Sequence, residues 1–147
     1  MSKTLSFRGK LDIGVQQKIK LSTLKGKTGY RITNFKVLSS TPGVTNIETV
    51  VKIYSKSQTN FPATVDFTES DLLAVAYYQD DANQAYPSSV DITFDNEVFN
   101  QDIFIYAEDA AGGSVPFNFY IEIETIRLSD IQATQLTLKS LRNLASR

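Results

Sequence analysis

The chain contains neither cysteine nor histidine. Without cysteine there are no disulfides, zinc–thiolate sites or thiol nucleophiles. Without histidine the commonest general base and the commonest transition-metal ligand are gone. A serine-hydrolase reading fails for the same reason, and no G-x-S-x-G elbow occurs. The N-terminus, MSKTLSFRGK, lacks the apolar run of a signal peptide. No stretch approaches the roughly 20 apolar residues of a membrane span. These absences lead to the expectation of a non-enzymatic protein, made and folded in a cytoplasm, with no cofactor, no metal and no membrane partner.

Positive charge is missing from one long tract. Residues 57–126 hold thirteen Asp and Glu but no Lys or Arg, whereas residues 1–36 hold nine basic groups against one acid, Asp12. Net charge is only −1 all the same. The asymmetry has two readings: oppositely charged surfaces on the folded protein, or segments that fold side by side and cancel.

What is present is a β pattern. At 147 residues, with 41% hydrophobic and 11% aromatic residues, one domain can bury a core without covalent staples. The clearest stretch is Gln101 to Arg127. Val115, Phe117, Phe119, Ile121 and Ile123 alternate with Pro116, Asn118, Tyr120, Glu122 and Glu124, which predicts a strand with one buried and one wet face. Ile103 to Tyr106 is a shorter β-prone run, and two glycines lie in the gap between them. The whole stretch therefore reads as a β-hairpin.

Val15 to Leu21 predicts a strand with Val15, Ile19 and Leu21 on one face. Tyr30 to Leu38 predicts another, and its apolar phase slips between Ile32 and Phe35, as a bulge or two-faced burial would make it. Pro42-Gly43 suits a type II turn. Strands follow at Asn46 to Lys56 and at Leu72 to Tyr78; the second is short enough to favour strand over helix. Val65 to Ser70 reads as a brief strand and Gln79 to Ser89 as a polar loop. Val90, Ile92 and Phe94 read as the buried side of a half-buried strand. The expected fold is all-β: an antiparallel β-sandwich, jelly-roll-like, of about seven to nine strands. Residues 1–14 form an N-terminal arm or first strand, 15–128 the sandwich domain, and 129–147 a C-terminal α-helix. Ser129-Asp130 supplies the helix N-cap, and Ile131, Thr134, Leu138, Leu141 and Ala145 recur at helical spacing.

Four patterns invite a chemical reading. Gly26-Lys27-Thr28 matches the end of a phosphate-binding loop, but Leu21 stands where the first glycine belongs, so a hairpin turn is the better account. Asp80/Asp81, Asp95/Glu97 and Glu108/Asp109 offer oxygen ligands without the spacing of a calcium loop. Glu122 and Glu124, two apart on one strand face, are better read as a wet surface than as glycosidase carboxylates. The basic residues from Lys18 to Lys36, with Phe7, Tyr30 and Phe35, form a candidate single-stranded nucleic-acid platform. The acidic pI of about 5.4 argues against it, and nucleic acid is not an expected partner.

Five strings carry a resemblance: residues 26–32 (GKTGYRI), 50–54 (VVKIY), Val65-Asp66-Phe67 followed by Asp71-Leu72-Leu73-Ala74, 94–103 (FDNEVFNQDI) and 135–144 (QLTLKSLRNL). In these the chain resembles small proteins encoded by tailed phages of marine bacteria. The resemblance implies a virion structural component and carries no functional residues with it. The expected role is a capsid decoration or cement protein, multi-copy or homo-oligomeric, that stabilises the head lattice by protein–protein contacts. Its partners would be the major capsid protein or tail components, and its location the virion, assembled in the host cytoplasm. A tail, adaptor or head-vertex component is the alternative within that class. Charge and pattern nominate the interface: Lys18, Lys20, Lys25, Lys27 and Arg31 on the basic side, Tyr120, Glu122 and Glu124 on the acidic side, and Leu138 and Leu141 on the helix. From a different class comes a soluble carbohydrate- or nucleic-acid-binding β-module, with Tyr77, Tyr78 and Tyr86 as its sugar platform.

Overall fold

Alternation decides the centre of the molecule. In the computed structural model, which describes residues 3–24, 26–82 and 88–145, the tract 117–127 is strand β8 (Phe117–Arg127). Phe117, Phe119, Ile121 and Ile123 are buried, and Asn118 and Tyr120 between them are exposed. Strands β1 (Thr4–Leu11) and β3 (Thr28–Ser39) flank it antiparallel in a three-stranded sheet of order β1-β8-β3. The second sheet has five strands: β2 (Gln17–Ile19), β4 (Ile47–Tyr54), β5 (Leu72–Asp80), β6 (Ser88–Thr93) and β7 (Ile103–Asp109), in the order β2-β7-β4-β5-β6. All its pairings are antiparallel. The inner faces meet in one core, with Leu11, Phe35, Val51, Ile53, Ile105 and Ile121 fully buried. The chain is an all-β sandwich with a C-terminal helix, α1 (Asp130–Ala145).

Several expectations need correction. The stretch 101–127 is not a hairpin, because β7 and β8 lie in opposite sheets. Both sides of each strand are already taken, β7 by β2 and β4, β8 by β1 and β3. The seven residues between them cross the gap of about 10 Å between layers. Asp109 starts that crossing: its carboxylate accepts the Ala111 N–H at 2.8 Å and the Glu48 N–H at 3.2 Å. Gly26-Lys27-Thr28 is likewise a passage between sheets rather than a hairpin turn, since β2 and β3 belong to different layers. Of the two readings for residues 1–14, a free arm is replaced by β1, with eight residues in register against β8. Val65 to Ser70 contains no strand; residues 55–71 form one long connection. Val15 lies outside β2 and is half exposed.

Other readings hold. The slip in β3 is a register shift between Ile32 and Asn34. Gly43 has φ of +94°, as the third residue of a type II turn requires, and the Val44 N–H reaches the Thr41 carbonyl at 3.4 Å. Leu72 to Tyr78 lies within β5.

One apolar face is turned the opposite way from expectation. On β6, Asp91 pairs with the core residue Ala76 and so shares its inner side, while Val90 and Ile92 stand on the outer side, 56% and 38% exposed. β6 is an edge strand, so its inner side meets the margin of the sandwich, where Asp91 binds Lys36 of β3 at 2.9 Å. On α1, the stripe Ile131, Leu138 and Leu141 faces solvent. The face that packs is Ala133, Leu136, Thr137 and Ser140, in part through polar contacts. The buried Asn100 amide donates to the Gly26 carbonyl at 2.9 Å and to Thr137 Oγ1 at 3.2 Å. The helix opens with a capping box: the Gln132 N–H donates to Ser129 Oγ, and the Ser129 N–H to Gln132 Oε1.

Candidate functional site

The functional side chains stand on the two outer faces of the sandwich. On the three-stranded sheet, period-two alternation puts Arg8, Tyr120 and Lys36 in one outer row and Lys10, Asn118 and Leu38 in the next. These rows line a shallow basin of about 600 Å³. Lys36 is engaged by Asp91, but Arg8 and Lys10 make no ion pair among the described residues. Leu38 is 60% exposed beside them. The Tyr120 hydroxyl donates to Glu122 Oε1 at 3.0 Å, and that hydrogen bond pushes its pKa up. The other end of the face is charge-neutralised, because Arg31 binds Glu124 across the β3–β8 pair at 3.2 Å. Cations beside exposed apolar surface suit an anionic partner.

The outer face of the five-stranded sheet has two parts. One is roofed by the 55–71 connection. Under it Tyr54 and Tyr106 stack with ring centroids 6.0 Å apart, and Phe61 packs on Tyr106 at 4.9 Å. Tyr106 donates to the Pro62 carbonyl at 3.0 Å and Tyr54 to Glu69 Oε1 at 2.9 Å. Lys52, fully buried among them, donates to the Thr64 carbonyl, its ammonium 5.8 Å from the Tyr106 ring centre. Burial pushes the Lys52 pKa down, and the Glu69 and Asp66 carboxylates offset this only in part. Burial also raises both tyrosines, Tyr106 to about 12. The other part is open. There Glu108, Val50, Tyr77 and Val90 form one row across β7, β4, β5 and β6, Glu48 stands in the neighbouring row, and Ile92 lies with Val90 at the sheet edge. Burial raises the Tyr77 pKa first, and the negative charge of Glu48 and Asp109 raises it further.

The structure scatters the nominated interface residues. Lys18 binds Asp102 at 3.3 Å on the β2–β7 edge. Burial opposes ionisation of Asp102, but the Ser22 and Leu21 N–H groups and Lys18 outweigh it and hold its pKa low. Lys20 is exposed after β2, and Lys25 lies outside the described residues. Lys27 binds Asp130 at the helix start at 2.8 Å, which lowers the Asp130 pKa. Arg31, Tyr120, Glu122 and Glu124 do share one face. Leu138 and Leu141 are both exposed on α1.

The tyrosine platform does not assemble: Tyr78 is buried against Phe117, only Tyr77 stands on the outer face, and Tyr86 lies outside the described residues. The nucleic-acid platform dissolves too, since Tyr30 and Phe35 are core and Phe7 packs against it. Among the described residues no group of three or more acids is placed to hold a metal ion. Pattern reading nominated neither Arg8, Lys10 nor Glu48 for the interface and read Glu108 only as an oxygen ligand, although alternation in 4–11 already separates Thr4, Ser6, Arg8 and Lys10 from Leu5, Phe7, Gly9 and Leu11. No protein-family model matches the chain, and no curated protein matches it.

Proposed function

We propose that the chain is a structural protein of a phage virion, a capsid decoration or cement protein that stabilises the head lattice through protein–protein contacts. A tail, adaptor or head-vertex component is the second form of the same proposal. The observation that carries it is the outward stripe of α1. Ile131, Leu138 and Leu141 are 72%, 53% and 56% exposed on a helix held to the body by Asn100, Lys27–Asp130 and Lys139–Glu97. An apolar helical stripe held in place by such contacts is surface prepared for another protein. The resemblance to small phage proteins supplies the setting. Mass spectrometry of purified particles tests it: the chain should occur in many copies per particle, and its absence from particles would overturn the proposal. In a triple variant, Ile131→Ser/Leu138→Ser/Leu141→Ser, the chain should fold and fail to load.

A soluble binding module is the second reading, favoured by the basin of Arg8, Lys10 and Tyr120. Selective retention on a glycan array or on DNA, lost in Arg8→Glu/Lys10→Glu, would establish it.

A further inference from the structure

We infer that the two outer faces of the sandwich are complementary halves of one contact, joining this chain to a second copy of itself head to tail. The inference rests on the assembly reading above and names a partner for it. Three observations carry it.

The first is charge. Arg8 and Lys10 stand on the three-stranded face without a carboxylate partner among the described residues. On the opposite face, Glu48 stands on β4 and Glu108 on β7, the latter separated from Tyr77 by Val50, and neither forms an ion pair among the described residues. The long charge asymmetry of the chain is thus partly cancelled inside the fold, by Arg31–Glu124, Lys36–Asp91 and Lys18–Asp102, and partly left over on opposite sides. The second is apolar surface. Leu38 and Tyr120 beside the cations, and Val90 and Ile92 on the β6 edge of the acidic face, are all more than a third exposed. The basic face also carries Glu122, bonded to the Tyr120 hydroxyl, so its excess is Arg8 and Lys10 against one carboxylate. Apolar surface near an excess of opposite sign on each face is the arrangement in which burial supplies affinity and charge supplies register. The third is geometry. The faces belong to different sheets and point away from each other, so one molecule cannot close the contact on itself. A contact between unlike faces is heterologous and propagates into rings or filaments rather than ending at a dimer.

Size sets the strength. Three strands about 4.8 Å apart and eight residues long give a sheet footprint of about 400 Å² per copy. That places the contact among the weak interfaces, below roughly 1,200 Å² in total. It would operate through the repetition that a lattice provides.

Sedimentation velocity on the purified chain tests this without any particle, so it can fail while the virion reading stands, and the reverse. The wild-type chain should show a sedimentation coefficient that rises with concentration through dimer, trimer and higher species, and falls back as added salt screens the charges. Arg8→Glu/Lys10→Glu should sediment as a monomer, and so should Glu48→Lys/Glu108→Lys. An equimolar mixture of the two should regain association, because each variant then meets a face of opposite sign; that recovery also shows both variants to be folded. A wild-type chain that stays monomeric at every concentration overturns the inference. So do variants that associate as the wild type does, or a mixture that stays monomeric. Retention of a monomeric wild type on single-stranded DNA, lost in Arg8→Glu/Lys10→Glu, would overturn it in favour of a nucleic-acid face.

Discussion

The two outer faces of the sandwich are built by the same period-two rule and end up in different environments. On the three-stranded sheet the outward positions of β1 and β8 are Thr4, Ser6, Arg8, Lys10, Asn118, Tyr120, Glu122 and Glu124, and water covers them. On the five-stranded sheet the outward positions of β4 and β7 include Tyr54 and Tyr106. Exposed side by side, these would form an apolar patch of the kind soluble domains avoid. The 55–71 connection covers them with Phe61 and Pro62, making a second small core outside the main one. A long connection can thus be a structural layer, and a face left bare has been left available. The five-stranded sheet uses part of its outer side for stability and leaves the rest open, whereas the three-stranded sheet has its whole outer side free for contact.

The largest test of this contrast swaps tyrosine for alanine on each face. Tyr106→Ala removes a fully buried ring with its hydroxyl bond and should cost about 3–5 kcal/mol in denaturant unfolding. Tyr120→Ala should stay within about 0.5 kcal/mol. Equal costs would mean that the roof contributes nothing.

Alkaline pH comes next. Tyr54 and Tyr106 have folded pKa values raised above the unfolded value of 10.0, Tyr106 to about 12. Their stabilising contribution is intact below pH 10 and is lost as pH rises beyond it, at about 1.4 kcal/mol per pH unit for each tyrosine. Lys52 acts in the opposite sense. Its folded pKa is lowered beneath 10.5, so the folded state sheds that proton first and stability rises as pH climbs toward 10.5. A plot of unfolding free energy against pH should therefore rise and then fall steeply, and a flat profile from pH 9 to 12 would contradict the buried cluster.

Lys52→Met should remove the rising limb and keep the fall. Its stability at neutral pH should stay within about 1 kcal/mol of wild type, because relief from burying a charge offsets the lost bond to Thr64. Hydrogen exchange should then show faster opening of residues 57–68, where that anchor is missing. A loss of several kcal/mol would show that the charge itself holds the roof.

The smallest effect belongs to the bare face. Arg8→Glu/Lys10→Glu should change the stability of the monomer by less than about 0.5 kcal/mol, since both side chains are exposed and make no ion pair among the described residues. A clear drop in melting temperature would mean that these residues serve the fold rather than a contact.

Much of this architecture was legible in the residues, and the limits are physical. β8 alternates without a break from Phe117 to Ile123, so its two sides were plain. The same alternation says nothing about which strand lies beside which, and the supposed hairpin failed there: pairing of β8 with β1 and β3 is a long-range fact. Alternation also has no sign. In β6 the apolar set Val90 and Ile92 faces out, because an edge strand beside Lys36 gains more from turning Asp91 inward. The helical stripe of α1 was correctly placed on one face, but spacing cannot say whether a face is covered. Lys52 sat inside an apolar run, VVKIY, and only the roof over it shows why a charge is tolerated there. The interface residues were chosen from runs of charge, which overlooked Arg8 and Lys10, while folding paired Lys18, Lys27 and Arg31 with nearby acids.

Because the chain has no cysteine, disulfide capture can read out the head-to-tail contact. A single Asn118→Cys chain carries its only thiol on the bare face, and a single Gln79→Cys chain carries its only thiol on the opposite one, with no charge altered in either. Mixed in equal amounts and oxidised, the two should give disulfide-linked heterodimer well above the statistical share, and that excess should vanish at high salt. A statistical mixture, or a preference of either chain for its own kind, would contradict the account.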